Sequence, residues 1–168
     1  MIPTVNIAGE YTGIVHTEKD TSGSNGNVYI TRRHHVIKIG TDYEGIGTTE
    51  VNDEFIKYNE VPLNLRPSVS KIYAGIYFNL DGHDMLGIIM EEIYEINNNN
   101  LDRFNDHIVY LVTHINQIGY YHNDLRYEAG KVNNIGFDRN GIVKFYDLSS
   151  WSDTDTGRDT DFLKDIAD

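Results

Sequence analysis

An α+β fold, sheet-rich at first and partly helical afterwards, is what the 168-residue sequence predicts. Three observations predict it. Short β-branched and aromatic runs separated by turn sequences recur up to Met90. Apolar residues take helical spacing after Asp102. Between the two patterns lie four asparagines, Asn97 to Asn100, which neither pack nor favour helix interiors. The expected division is therefore 1–96 and 97–168. Hydrophobic residues make up 39% and charged residues 24%, a globular composition at a length that can bury a core.

Taken in order, Tyr11 to Val15 and Val28 to Thr31 read as strands, and the polar stretch Thr17 to Asn27 reads as a loop between them. His35 to Ile39 is a further strand, entered through a turn at Arg32-Arg33-His34 and closed by Gly40. From Glu50 to Val61, apolar Val51, Phe55, Tyr58 and Val61 share one helical face, and Pro62 and Pro67 stop the helix. Lys71 to Asn79 and Met85 to Met90 form a hairpin around Asp81-Gly82-His83-Asp84. A long helix over 102–118 carries Phe104, Ile108, Leu111, Val112 and Ile115 on one side and ends at Gly119. Ile135-Gly136-Phe137 and Ile142 to Tyr146 pair around Arg139-Asn140-Gly141, and a short helix over 159–167 completes the chain.

A formal charge of −12 disfavours nucleic acid and anionic membrane surfaces, so basic or neutral proteins are the expected partners. No apolar run approaches the roughly 18 residues of a spanning helix, and Met1 to Glu10 lacks the pattern of a signal peptide. A cytoplasmic protein is expected. The absence of cysteine excludes disulfides, thiolate metal sites and cysteine nucleophiles. Seven histidines show no compact ligand spacing and read as surface or structural residues. The seven aspartates from Asp147 to Asp168 read as a solvated acidic end, with a tail that folds over the site as the alternative.

The most informative stretch runs from His122-Asn123-Asp124-Leu125 through Asn133-Asn134 to Lys144-Phe145-Tyr146-Asp147. A phosphoryl-transfer site needs a carboxylate to accept a hydroxyl proton, with an amide oxygen and a second carboxylate to hold Mg²⁺ against phosphates. Asp124, Asn134 and Asp147 are the right types in the right order. This order resembles the catalytic loop and metal-binding segment of the protein-kinase superfamily, with the family's usual thirteen residues from Asn134 to Asp147. Gly23 to Tyr29 resembles the latter part of the family's glycine-rich loop, with Thr21 where its first glycine would fall. Val36-Ile37-Lys38 looks like its phosphate-lysine strand, and Ile88 to Ile93 is similar to its adenine-binding hinge.

The resemblance implies a bilobal protein-kinase-like fold, with a small antiparallel β N-lobe, a truncated helical C-lobe and ATP in the cleft. It implies that Gly23, Gly26 and Val28 cover the nucleotide and that Lys38 contacts its phosphates. The lysine's partner is Glu54, or Glu50 one turn earlier. Met90, Glu91 and Ile93 would hold adenine, Asp124 would be the base, Arg126 would lie near the γ-phosphate, and Asn134 and Asp147 would bind Mg²⁺ or Mn²⁺. Asn123 stands where many members have an arginine that reads a phosphorylated segment, so that switch is not expected here. The chain departs from the pattern between Asp124 and Asn134, ten residues where five are usual. Residues 127–131 bulging outward would leave Asn134 in place. The implied function is a minimal Ser/Thr protein kinase, with a pseudokinase and a small-molecule phosphotransferase as rivals. Compact kinases of this kind are carried by viruses or delivered by bacteria, which implies an activating host protein and a host cytoplasmic location.

Overall fold

Among the described residues, strand pairing begins in a polar stretch. In the computed structural model, which describes residues 16–20, 26–31, 35–40, 46–80 and 83–168, β1 (His16–Asp20) pairs antiparallel with β2 (Gly26–Thr31). The sequence reads as loop from Thr17, and the structure makes this segment an edge strand instead. An edge strand needs backbone partners on one side only, and charged residues such as Glu18, Lys19 and Asp20 discourage pairing with another chain. The expected strand 11–15, the turn 32–34, Gly23 and Asp81-Gly82 lie outside the described residues.

The described residues form two compact units, one of residues up to 60 with 71–92, the other of 61–70 with 93–168. Both are α+β with antiparallel sheets. In the first, the order is β1-β2-β3-β5-β4, with β3 at His35–Gly40, β4 at Ile72–Leu80 and β5 at His83–Glu91. Helix α1 (Ile46–Glu60) starts four residues before the sequence places it and packs on β3 and β5. Val51 and Tyr58 are buried, and the Phe55 ring lies 3.2 Å from where a Cβ of Gly75 would be. That glycine leaves room for the ring.

In the second unit, α2 (Leu101–Ile118) buries all five residues of the predicted face, Phe104, Ile108, Leu111, Val112 and Ile115. Each contributes about 1.5–3 kcal/mol by leaving water. Gly119 ends the helix in the left-handed region, φ 103°, and its amide donates to Asn116 O at 3.0 Å. The asparagine run builds the turn into α2: Asn97 N donates to Asn100 Oδ1 at 2.8 Å, Asn99 N to Asn97 Oδ1 at 2.9 Å and Asn98 N to Gly130 O at 2.9 Å. Short amides that satisfy backbone groups suit turns for this reason. Phe104 stacks on Phe137 with centroids 4.5 Å apart, and Phe145, Trp151 and the α3 (Arg158–Ala167) residues Phe162 and Ile166 are buried.

Strand β8 (Lys131–Phe137) organises the sheet of this unit. One edge pairs with β6 (Tyr94–Asn97), and the other is divided between β7 (Arg126–Glu128) and β9 (Val143–Phe145). The β7–β8 turn, Ala129-Gly130, has φ of 52° and 75°. The β8–β9 turn is held by Asp138, whose Oδ1 accepts from Asn140 N and Ile142 N and whose Oδ2 lies 3.1 Å from Lys144 Nζ. Burial alone would raise the Asp138 pKa, but the two amides and Lys144 outweigh it and hold the carboxyl below its ordinary value.

Two consequences are measurable. Alanine in the left-handed region costs about 1 kcal/mol, and Asn-Gly is the favoured pair for such a turn. Ala129→Asn should therefore raise the melting temperature by a few degrees in a thermal melt, and no rise would show that the turn is not strained. Because Asp138 binds its proton less tightly in the folded state, its stabilisation is complete above about pH 4 and is lost as the pH falls through the lowered folded value. Denaturant titrations should put Asp138→Asn about 1–3 kcal/mol below wild type at pH 6, with the gap narrowing below about pH 4.

Candidate functional site

Strand β8 changes partner at one residue. Asn133 pairs with Arg126 of β7, and Ile135 pairs with Phe145 of β9. Asn134 lies between them, so the start of β7 and the end of β9 meet at its level. Asp124 precedes β7 and Asp147 follows β9, and the register therefore gathers all three residues that the sequence singled out in this half. The side chain of Asn134 closes the gap, Nδ2 donating to Asp124 O at 2.7 Å and to Asp124 Oδ2 at 3.3 Å, while the main-chain carbonyl of Asn134 accepts from Tyr146 N at 3.0 Å. The ten-residue interval from Asp124 is thus taken up by the β7–β8 hairpin and does not displace Asn134.

Four non-glycine residues have positive φ among those described, and three are Asn123 (67°), Asn134 (69°) and Asp147 (55°). Only Asn and Asp adopt this region with little penalty, which fits the residue types present. Arg126 donates to Asp124 Oδ1 through Nε at 3.2 Å and a terminal nitrogen at 2.9 Å. That bond raises the Arg126 pKa further above its ordinary range. It also leaves Asp124 ion-paired, with its second oxygen facing the Asn134 amide.

The loop that carries Asp124 is braced from behind. Asp159, 1% exposed, accepts from His122 N at 2.9 Å on Oδ2 and from Asn123 N at 3.0 Å on Oδ1. Asn116, with its amide oriented to satisfy its neighbours, donates to Asp159 Oδ2 at 3.1 Å. His122 is fully buried. Its Nε2 lies 2.7 Å from Tyr146 O, which can only accept, and its Nδ1 accepts from Asp124 N at 3.2 Å, so the network assigns the Nε2–H tautomer. The ring links the backbone before Asp147 to the backbone of Asp124. The C-terminal segment is accordingly not wholly solvated: Asp153, Asp155, Asp161, Asp165 and Asp168 are exposed, while Asp159, Phe162 and Ile166 are buried supports.

In the first unit, Lys38 Nζ lies 2.8 Å from Glu54 Oε2, with Glu54 2% exposed. Glu54, one of the two partners that the sequence leaves open, is in contact with Lys38. Val28 pairs with Lys38 across β2–β3, and Gly26 pairs with Gly40 at the start of the same ladder. Met90 is buried opposite Val36. Glu91 is tied to Lys71 at both ends, its amide donating to Lys71 O and its Oε1 accepting from Lys71 N, each at 2.9 Å. Ile93 is half-buried in the second unit, its Cγ2 against Gly136.

The amide of Asn134 donates through Nδ2, which leaves Oδ1 for another partner. Together with the Asp147 carboxylate this is a pair of hard oxygen donors, and Mg²⁺ characteristically takes one or two protein oxygens with phosphates and water completing its shell. The residues fit such an ion. Among the described residues no group of three His, Asp or Glu side chains could hold a metal by itself. No helix among them is long and apolar enough to cross a membrane.

Sequence reasoning passed over Asp159, Asn116 and the side-chain role of Asn123. A signal for Asp159 was present: it falls on the α3 stripe with Phe162 and Ile166, where a carboxylate has no reason to be unless it meets donors. No protein-family model matches the chain, and neither does any curated protein.

Asp159→Ala should leave two buried amides without acceptors and destabilise by about 2–5 kcal/mol in denaturant titration. Amide exchange at His122 and Asn123 should accelerate more than in α2; a uniform acceleration would sink the bracing role.

Proposed function

We propose that this chain is a minimal member of the protein-kinase superfamily, its units corresponding to a small β N-lobe and a truncated helical C-lobe, that transfers the γ-phosphate of ATP to a Ser or Thr hydroxyl of a protein. The observation that carries the reading is the 2.7 Å bond from Asn134 Nδ2 to Asp124 O, because it keeps a base candidate and a metal-ligand candidate side by side despite the long interval between them. The pairing of half-buried Lys38 with buried Glu54 supports it independently. A lysine beside a buried carboxylate is fixed in direction, as a phosphate-contacting lysine must be.

In this reading the acceptor oxygen forms the new P–O bond, the bond from the γ-phosphorus to ADP breaks, and the hydroxyl proton passes to Asp124. Lys38, held by Glu54, contacts the α- and β-phosphates. Arg126 balances charge near the transferred group when it leaves Asp124. Asn134 Oδ1 and Asp147 hold Mg²⁺ or Mn²⁺, which when bound neutralises the phosphate oxygens. Met90 backs the adenine, backbone groups of Glu91 and Ile93 bind it, and Val28 with Gly23 and Gly26 covers the nucleotide. Positioning and charge neutralisation supply most of the catalysis in this class, so a short chain suffices for it. In this reading an activating host protein binds the C-lobe.

The test is transfer of labelled γ-phosphate to the protein itself and to a generic basic substrate, with Mg²⁺ or Mn²⁺, with and without eukaryotic cell extract. Asp124→Ala and Asp147→Ala should each lower transfer by at least about a hundredfold. No transfer in any condition, with ATP still raising the melting temperature in a Lys38-dependent way, would replace the reading with a nucleotide-binding pseudokinase. Neither signal would overturn the nucleotide reading altogether.

A further inference from the structure

Asn123 makes more side-chain hydrogen bonds than its neighbours in the loop, and all of them reach one segment. Its Nδ2 lies 3.2 Å from Ser150 O, 3.0 Å from Ser152 Oγ and 3.0 Å from Thr154 O. Its Oδ1 accepts from Thr156 N at 3.3 Å and Thr156 Oγ1 at 2.8 Å. The carboxamide is 9% exposed as a residue and saturated on both sides, two hydrogens shared among three acceptors and two lone pairs filled. Residues 153–156 are exposed and bury nothing of their own. Within the segment Ser152 Oγ bonds both Thr154 N and Thr154 O, and Asp155 bonds Gly157 N; apart from the Tyr121–Ser152 backbone bridge, the bonds to Asn123 are what tie it to the loop among the described contacts.

From this we infer that Asn123 is a positioning residue for the proposed transfer, locking segment 150–156 to the loop of Asp124 so that the site is ordered without phosphorylation. The inference rests on the kinase reading for its consequence in catalysis, though not for the locking itself. The residue type is specific. Aspartate would lack the donor and set a carboxylate against Ser150 O and Thr154 O, arginine would lack the acceptor, and an alanine would in addition be strained at φ 67°. Asn123 is the immediate chain neighbour of Asp124, so loosening its side chain frees the very peptide that aims the base.

Glycine tolerates φ 67° and removes only the side chain, which makes Asn123→Gly the clean variant. Amide exchange at Thr154 and Thr156 should accelerate at least about tenfold, while His122 and Asn123, held by Asp159, change little. In the transfer assay kcat should fall by about ten- to a hundredfold, with KM for ATP unchanged, because Lys38 and Glu54 are untouched. Phosphatase treatment of wild type should leave its transfer intact. Thr156→Val, at an exposed position, removes one of the bonds and should move exchange and kcat the same way by less; it decides the matter should the glycine variant not fold. Unchanged exchange would overturn the locking, faster exchange with unchanged kcat would overturn its role in transfer, and loss of transfer on phosphatase treatment would overturn the independence from phosphorylation. If wild type transfers nothing, the kinase reading and the regulatory claim fall together, while the exchange data still decide the locking alone.

Discussion

A single strand residue, Asn134, bears the convergence of the second unit. Strand β8 needs two partners on one edge because neither β7 nor β9, three residues each, is long enough to cover it. Where one ends and the other begins, the backbone of β8 turns through the left-handed region, and the Asn134 side chain bonds to the loop before β7. The kink and the convergence of Asp124 with Asp147 are thus one event. An alanine at 134 would meet both the conformational penalty and an unsatisfied Asp124 carbonyl, whereas Asn relieves both.

Two buried carboxylates extend this order outward, and they do so by the same device. Glu54 replaces an apolar residue on the α1 face between Val51 and Tyr58, and Asp159 does so on α3 ahead of Phe162 and Ile166. Such groups are unfavourable alone and hold only with partners in place: Lys38 in the first case, two or three N–H donors in the second. Replacing Lys38 and Glu54 together by apolar residues of similar volume would cost the fold little, so that pair fixes direction more than stability, whereas the backbone amides that Asp159 satisfies would stay unpaired without it. Lys38 is aimed, and the His122-Asn123 peptide is held in one orientation.

Helix α2 was legible to within one residue, starting at Leu101 where the sequence reading begins at Asp102, because five apolar positions at helical spacing, with a glycine after them, admit one reading. The hairpin around Arg139-Asn140-Gly141 was legible for the same kind of reason, a turn sequence between β-rich runs. Strand β1 was not, since an edge strand of charged residues carries no period-2 signal and owes its existence to β2. The β7–β8 hairpin was also hidden: Ala129 is a poor residue for its left-handed turn position, and strand β7 is too short for a pattern. Within the site, residue types and order pointed to Asp124, Asn134 and Asp147, but the sequence offered Glu50 beside Glu54, as both lie on one helix a turn apart, and the contact of Glu54 with Lys38 is a matter of geometry. Asp159 was lost in an acidic run, where composition conceals the one aspartate that faces inward.

The left-handed residues allow a last step. Asn123, Asn134 and Asp147 each cost up to about 1 kcal/mol relative to ordinary backbone even for these tolerant types, and each is opposed by bonds that exist only in that conformation. Asn123 gains the segment 150–156, Asn134 gains the Asp124 carbonyl, and Asp147 directly follows Tyr146, whose carbonyl is held by His122. Since a typical hydrogen bond contributes about 1 kcal/mol net, the balance at each residue is close and depends on its neighbours being in place. The three are therefore mutually supporting: His122 joins the 146 and 124 backbones, Asn134 joins 124 and 146, and Asp159 holds 122 and 123. Cooperative strain of this kind sets the directions of Asp124, Asn134 and Asp147 in the free protein, which under the proposed transfer is the condition for charge stabilisation without reorganisation.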